Sequence, residues 1–364
     1  MFSNFTTLVQ RIYRACLSLI QSQKDGIQHF AYVTNQGSNS ISQFSVSAHG
    51  SLLPLLPAGV STGTTPVFIA VTPSGKYAYV ANQGGNSISQ YSINPNGCLA
   101  AISTPVAAGT SPVEIAIDPS GRYVYAANSS SNDVSQYLIG ENGVLSAMSP
   151  ATIATGVIPV AISIDPSAQY VYVVNNSSNN ISQYRISENG SLQHMSPATI
   201  AAEAAPRSIA IAPSGKFAYV VHRSSGDVTQ FAITSNGNLA PASALVAAGK
   251  HPISICISPS GKNAYVVNQN SNHISQYKLD GNGSLVPMTP AAVESLLTPV
   301  CIAIASSGKY AYVTNISSNN VSQYEIDGQG ALRPIPVNTW GDATIAAGIS
   351  PRCVMTVGLK TGLV

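Results

Sequence analysis

Charge is what this chain has least of. Lys, Arg, Asp and Glu make up 8% of its 364 residues, about a third of the ~25% usual for a soluble globular domain. Sixteen basic and 14 acidic side chains leave a net charge of +2, and no run of Lys or Arg concentrates it. That excludes the basic field by which proteins hold nucleic acid. The five cysteines (Cys16, Cys98, Cys256, Cys301 and Cys353) include no CxxC pair, so neither a zinc ribbon nor a thioredoxin-like motif is present. Their odd number and wide spacing argue against a disulfide framework; small buried thiols are the expectation. A GxSxG elbow, an HExxH helix, a Walker loop and a GxGxxG turn are all missing, and with them the commonest hydrolase, metalloprotease and nucleotide-binding machinery. No cofactor and no metal is implied, and calcium in particular would need more carboxylates than the mouth of a central channel offers here.

What is there is repetition. The tetrapeptide YVTN begins at Tyr32, and close versions begin at Tyr79, Tyr125, Tyr172, Tyr219, Tyr265 and Tyr312, with spacings of 47, 46, 47, 47, 46 and 47 residues. Each copy has the same parts. An apolar run follows a proline, as in Pro112 to Ile117; a Pro-Ser-Gly-Lys turn leads into the YVTN strand; a polar loop leads into a third strand such as Ile88-Ser89-Gln90-Tyr91. Asn-Gly turns then follow at Asn96, Asn142, Asn189, Asn236 and Asn282, and Asn-Gly between apolar runs is a strong hairpin signal because both residues tolerate positive φ. A weaker fourth strand returns towards the next proline. Four short antiparallel strands per repeat of this length predict a blade, and seven copies predict an all-β, seven-bladed β-propeller over residues 28–364. The first YVTN strand lacks a proline strand of its own, whereas the last repeat is followed by Ser350-Pro351-Arg352-Cys353-Val354-Met355. The C-terminal segment is therefore expected to pair into the N-terminal blade and close the ring, hiding two open edges.

The YVTN tetrapeptide, the Pro-Ser-Gly-Lys turn and the Ser-Gln-Tyr strand resemble the YVTN-repeat propellers. Repeat length and number are similar to their lactonase branch, the 6-phosphogluconolactonase-like family, over about residues 29 to 357. The resemblance implies either a lactone hydrolase or a non-enzymatic binding propeller. It also makes a His-Pro-His or Pro-Arg sequence typical at the start of the first strand, and His251-Pro252, Pro206-Arg207 and Pro351-Arg352 match parts of it. Family enzymes place acids after the Asn of the second strand; this chain has Gln36, Gln83, Ser129, Asn176, Gln269 and Ile316 there.

Departures from the internal consensus mark candidate site residues. The residue after the proline is Val or Ile in five copies and Arg207 or Arg352 in the others. His251 precedes a proline where other copies have residues such as Thr65 or Ser111. His222 replaces the final Asn of YVTN and Arg223 follows it. Glu114 stands where other copies carry Phe68, Ala161, Ser208, Ser254, Cys301 and Cys353. Strand order places all of these near one mouth of the central channel. There Glu114, His222 or His251 would act as catalytic acid or base, and Arg207, Arg223 and Arg352 would bind an anionic sugar acid or a developing oxyanion. Drift on a solvated rim is the alternative for the Arg and His residues, but a carboxylate on an inner strand is costly unless paired or hydrated. Trp340, the only tryptophan, lies in a stretch of 21 residues between Gly330 and Pro351, against 15 or 16 in the other copies. It either contacts ligand or packs over the closing blade.

Residues 1–27 precede the repeats with helical spacing of apolar positions, and predict an amphipathic extension. Arg11 and Arg14 interrupt any signal-like apolar core, and no transmembrane span is evident. The cytoplasm is the default location, with non-classical export or surface display as alternatives. A monomer is expected. On the sequence alone the leading expectation is a scaffold that binds a small molecule or a protein partner at the channel mouth, with a sugar-acid lactone hydrolase as the alternative.

Overall fold

The computed structural model describes residues 26–335 and 343–360. Trp340 and all but the last two residues of the N-terminal extension lie outside the described residues, and the first strand already opens at Ile27. The described chain is all β: seven antiparallel sheets, each a blade of four strands. The third blade is representative, with strands Pro112–Ile117, Tyr123–Asn128, Asp133–Ile139 and Leu145–Ala154. In the second and seventh blades the outermost strand is split into two short segments.

The first blade draws its innermost strand from the other end of the chain. Pro351–Lys360 pairs antiparallel with Ile27–Asn35, setting Tyr32 opposite Met355 and Val33 opposite Val354. The proline strand of each blade touches the proline strands of both neighbouring blades, so seven of them form an unbroken ring around the axis. Seven apolar clusters fill the spaces between the sheets, each built from adjacent blades. YVTN-type strands supply most of this core; Tyr172, Val173 and Val174, for example, are fully buried.

The repeated polar residues join one blade to the next. The YVTN tyrosine donates its hydroxyl to the carbonyl of the turn glycine in the following blade, as from Tyr79 to Gly143 at 2.7 Å. Tyr312 does the same to Gly50 at 2.8 Å, across the closing joint. The glutamine of the third strand works at both ends. Gln136 Nε2 donates to the Pro150 carbonyl at 3.1 Å, and its Oε1 accepts the N–H of Leu192 in the next blade at 2.7 Å. Gln323 repeats the second bond to Leu52, again across the joint, at 2.6 Å. Each glutamine sits where the third and fourth strands shift register, as between Ser135 and Tyr137, so its amide satisfies backbone groups that the broken ladder leaves unpaired.

The YVTN asparagines bond both backbone and side chains: Asn35 and Asn268 accept the N–H of Gly348 and Gly249 through Oδ1, at 3.0 and 2.8 Å. Asn82 and Asn175 donate from Nδ2 to the hydroxyls of Ser89 and Ser182, each at 2.9 Å. They tie the second strand to the third through side chains.

Candidate functional site

Because the proline strands form the inner ring, residues one and two places after each proline converge on the axis. Val67, Val113, Val160, Ile253 and Val300 make an apolar collar that Arg207 and Arg352 interrupt. Together with Phe68, Glu114, Ser208, Ser254, Cys301, Cys353 and Gln83 they line a cavity of about 160 Å³. A second space of about 220 Å³ shares Val160, Arg207, Ile253 and Arg352 with the first and adds Asn176, Arg223 and Gln269. The two spaces adjoin at this shared wall and together make the axial passage, with Glu114 lining the first. Both volumes are below the roughly 300–1,000 Å³ common for ligand clefts, which suits a ligand of a single ring.

Glu114 is the only carboxylate on this wall. Its side chain keeps partial access to the cavity, yet it lies deep inside the ring. Burial pushes its carboxyl from the ordinary 4.5 up to about 8; the neighbouring Cys301 adds to the rise, and the charge of Arg207 and the Ile162 amide oppose it. Burial likewise lowers Arg207, with Glu114 opposing that shift and Arg352 and Arg223 adding to it. A guanidinium starts so far above neutrality that it stays charged. Neither Arg207 nor Arg223 has an ion-pair partner among the described residues. Arg352 is lowered by burial and is aimed by a hydrogen bond from its Nε to Gln36 Oε1. At neutral pH, with Glu114 holding its proton for most of the time, three cationic side chains share the passage with little to neutralise them. Such a passage attracts anions.

The two histidines stand apart from this wall. His222 is fully buried, and its Nε2 is 2.7 Å from Thr229 Oγ1. This His-Thr pair replaces the Asn-Ser pair of the other blades. Burial lowers its pKa, with Asp227 and Glu203 acting the other way; Nδ1 is enclosed without a hydrogen-bond partner. His251 has a φ of 54°, in the left-handed region that all seven residues preceding these prolines adopt. In other blades a loop asparagine holds the N–H at this position, as Asn86 Oδ1 holds Ser111 at 2.8 Å. The equivalent of that asparagine beside His251 is Gly226, which has no side chain to offer. Neither histidine lines the cavity. Of the residues singled out from sequence, the fold thus brings together Glu114, Arg207, Arg223 and Arg352, sets His222 and His251 outside the wall, and does not describe Trp340.

The sequence pattern alone makes the cysteines core thiols. The described cysteines are free, but Cys301 and Cys353 face the cavity. The signal was present, since they share the repeat position of Glu114. Gln83, Asn176 and Gln269 are lining residues as well, each directly after the last residue of its second strand.

The family "Lactonase, 7-bladed beta-propeller" matches the chain in overlapping stretches, residues 15–113, 53–160, 98–198 and 161–345. No protein of curated function matches it. Among solved structures the chain is similar to a candidate 6-phosphogluconolactonase of Bacteroides fragilis, with 21% identity, a TM-score of 0.79, and 92% of this chain and 99% of that one covered. It is similar to a periplasmic gluconolactonase of Pseudomonas aeruginosa, with 20% identity, a TM-score of 0.76, and coverage of 91% and 99%. Hydrazine synthase of Kuenenia stuttgartiensis also aligns, with 21% identity, a TM-score of 0.65, and coverage of 81% and 91%. Likeness at this identity establishes the shared fold and nothing finer.

Proposed function

Because this chain belongs to the seven-bladed lactonase propellers, its match running from residue 15 to 345, we propose that it hydrolyses the lactone of an anionic sugar acid bound at the channel mouth. The observation that carries this reading is the cavity itself: one carboxyl raised to about 8 shares its wall with Arg207 and Arg352, and Arg223 lines the adjoining space. A carboxyl with a pKa near the working pH is suited to both taking and returning a proton.

As carboxylate, Glu114 takes a proton from a water whose oxygen attacks the lactone carbonyl. The carbonyl electrons move onto its oxygen, and the fixed charge of Arg207 stabilises the oxyanion. When the tetrahedral intermediate collapses, the bond to the ring oxygen breaks and Glu114 returns the proton to it. Lactone and water become a hydroxy acid. Arg223, exposed at the entrance, and Arg352 hold the distal anion, since guanidinium matches carboxylate or phosphate oxygens in pairs.

The names of the structural neighbours favour a sugar-acid lactone over a scaffold role, and the unneutralised guanidiniums favour a phosphorylated one. Initial rates on 6-phosphogluconolactone and on uncharged gluconolactone, each corrected for spontaneous hydrolysis, test the proposal. A charge-assisted hydrogen bond of ~1.5–3 kcal/mol predicts that Arg223→Ala raises KM for the phosphorylated lactone about tenfold or more and leaves the uncharged one unchanged. Turnover of neither lactone above the spontaneous rate overturns the hydrolase reading; tight binding of the sugar acid without turnover would return the protein to the scaffold class.

A further inference from the structure

The channel wall holds two thiols that hydrolysis does not use. Cys301 and Cys353 occupy the same repeat position in the seventh and first blades, two residues after the proline. Their strands, Pro299–Ile304 and Pro351–Lys360, are in contact where the C-terminal strand closes the ring. Both sulfurs reach one acceptor, the Val354 carbonyl oxygen, at 3.9 Å from Cys301 and 3.7 Å from Cys353. The thiols also interact directly with each other. Neither is in a disulfide, and both face the cavity that holds Glu114. Buried structural cysteines are ordinarily inert; here a partner thiol and a route for a small reagent are both present.

We propose that Cys301 and Cys353 are an oxidisable pair, converted by peroxide entering the channel into a disulfide that fastens the seventh blade to the C-terminal closing strand. The Cys301 thiolate attacks one peroxide oxygen, the O–O bond breaks, and the departing hydroxide takes up a proton to leave as water. Cys301 is then a sulfenic acid. The Cys353 sulfur attacks it, the S–O bond breaks, and the second water leaves carrying the Cys353 proton. Two thiols lose two electrons and two protons, and one hydrogen peroxide becomes two waters. The order of events follows from access. Cys301 is half-buried on the cavity wall, whereas Cys353 is only 3% exposed. The more accessible sulfur meets the peroxide and the enclosed one resolves. The bridge holds the closing strand against the inner strand of the seventh blade and closes a covalent loop between positions 301 and 353, which constrains the unfolded state.

The test uses the full chain, treated with hydrogen peroxide, denatured, blocked with iodoacetamide and digested without reductant. A peptide pair joining Cys301 to Cys353 is expected, lighter than its two parts by two hydrogens, absent from Cys301→Ser and reversed by dithiothreitol. The oxidised protein should melt at a higher temperature than the reduced one. In Cys353→Ser, which lacks the resolving thiol, dimedone should trap a sulfenic acid at Cys301. Full alkylation of both cysteines after peroxide, sulfinic acid without a bridge, or a bridge from Cys301 to Cys256 would each overturn the proposal. These readouts follow sulfur and not turnover, so they succeed or fail separately from the hydrolase reading.

Discussion

Glu114 ionises where ionisation is costly, and this makes stability depend on pH. Its carboxyl is raised from 4.5 to about 8 in the folded protein, so over that interval the folded chain keeps a proton that the unfolded chain releases. Stability from this group is complete below about pH 4.5 and is lost as pH rises through about 8, the reverse of a salt-bridged carboxylate. Each pH unit of that interval corresponds to ~1.4 kcal/mol, so the loss is on the order of a few kcal/mol. Urea titrations at a series of pH values should show wild type weakening across this window, while Glu114→Gln, which fills the same space without an ionisable group, lacks that component. A wild type and variant that fall in parallel would contradict it. Glu114 was legible in the sequence because a carboxylate interrupts a sevenfold apolar and small-residue position. His222 and His251 interrupt the repeat just as clearly, yet a departure does not say which way its position faces. The last residue of the second strand points at the third strand, where Thr229 takes up His222; the residue before the proline turns into the left-handed region and away from the wall.

At the scale of the element, the hairpin turn does two jobs. Gly190 has a φ of +85°, and a Cβ there would collide with the ring of Tyr123. Its carbonyl also accepts the Tyr125 hydroxyl of the preceding blade at 2.5 Å. Alanine at this turn would combine backbone strain with a clash against a packed ring, and Gly190→Ala should cost roughly 2–4 kcal/mol in urea unfolding. Gly281 is the control, because its φ is not positive and a methyl group there would meet nothing within 4 Å. Gly281→Ala should be neutral or stabilising by up to ~1 kcal/mol. Equal effects at the two sites would refute the inter-blade role. The turns were readable from Asn-Gly, since positive φ is a local demand. Their contact with the next blade was not, because it depends on a residue about 65 positions away. The third-strand glutamine was opaque for the same reason: Gln136 bonds Leu192 across a sequence separation of 56.

At the scale of the molecule, counting strands was enough to close the ring, because seven YVTN strands require seven proline strands and only the segment at Pro351 remained. The structure adds that the closing joint repeats the ordinary joints, with Tyr312 to Gly50 and Gln323 to Leu52 standing where every other pair of blades has the same bonds. Regularity made the architecture readable and the site hard to read, since most of each repeat serves the ring. The proposed function rests on the few places where symmetry is broken towards the axis, Glu114 among them. The most direct test is the pH dependence of kcat/KM for 6-phosphogluconolactone hydrolysis, corrected for the spontaneous reaction, in wild type and Glu114→Gln. The account predicts a wild-type rate that rises through about pH 8 as Glu114 loses its proton, and a loss of about 10²–10⁴ in the variant. A variant that matches wild type, or a wild-type profile without that rise, would contradict it.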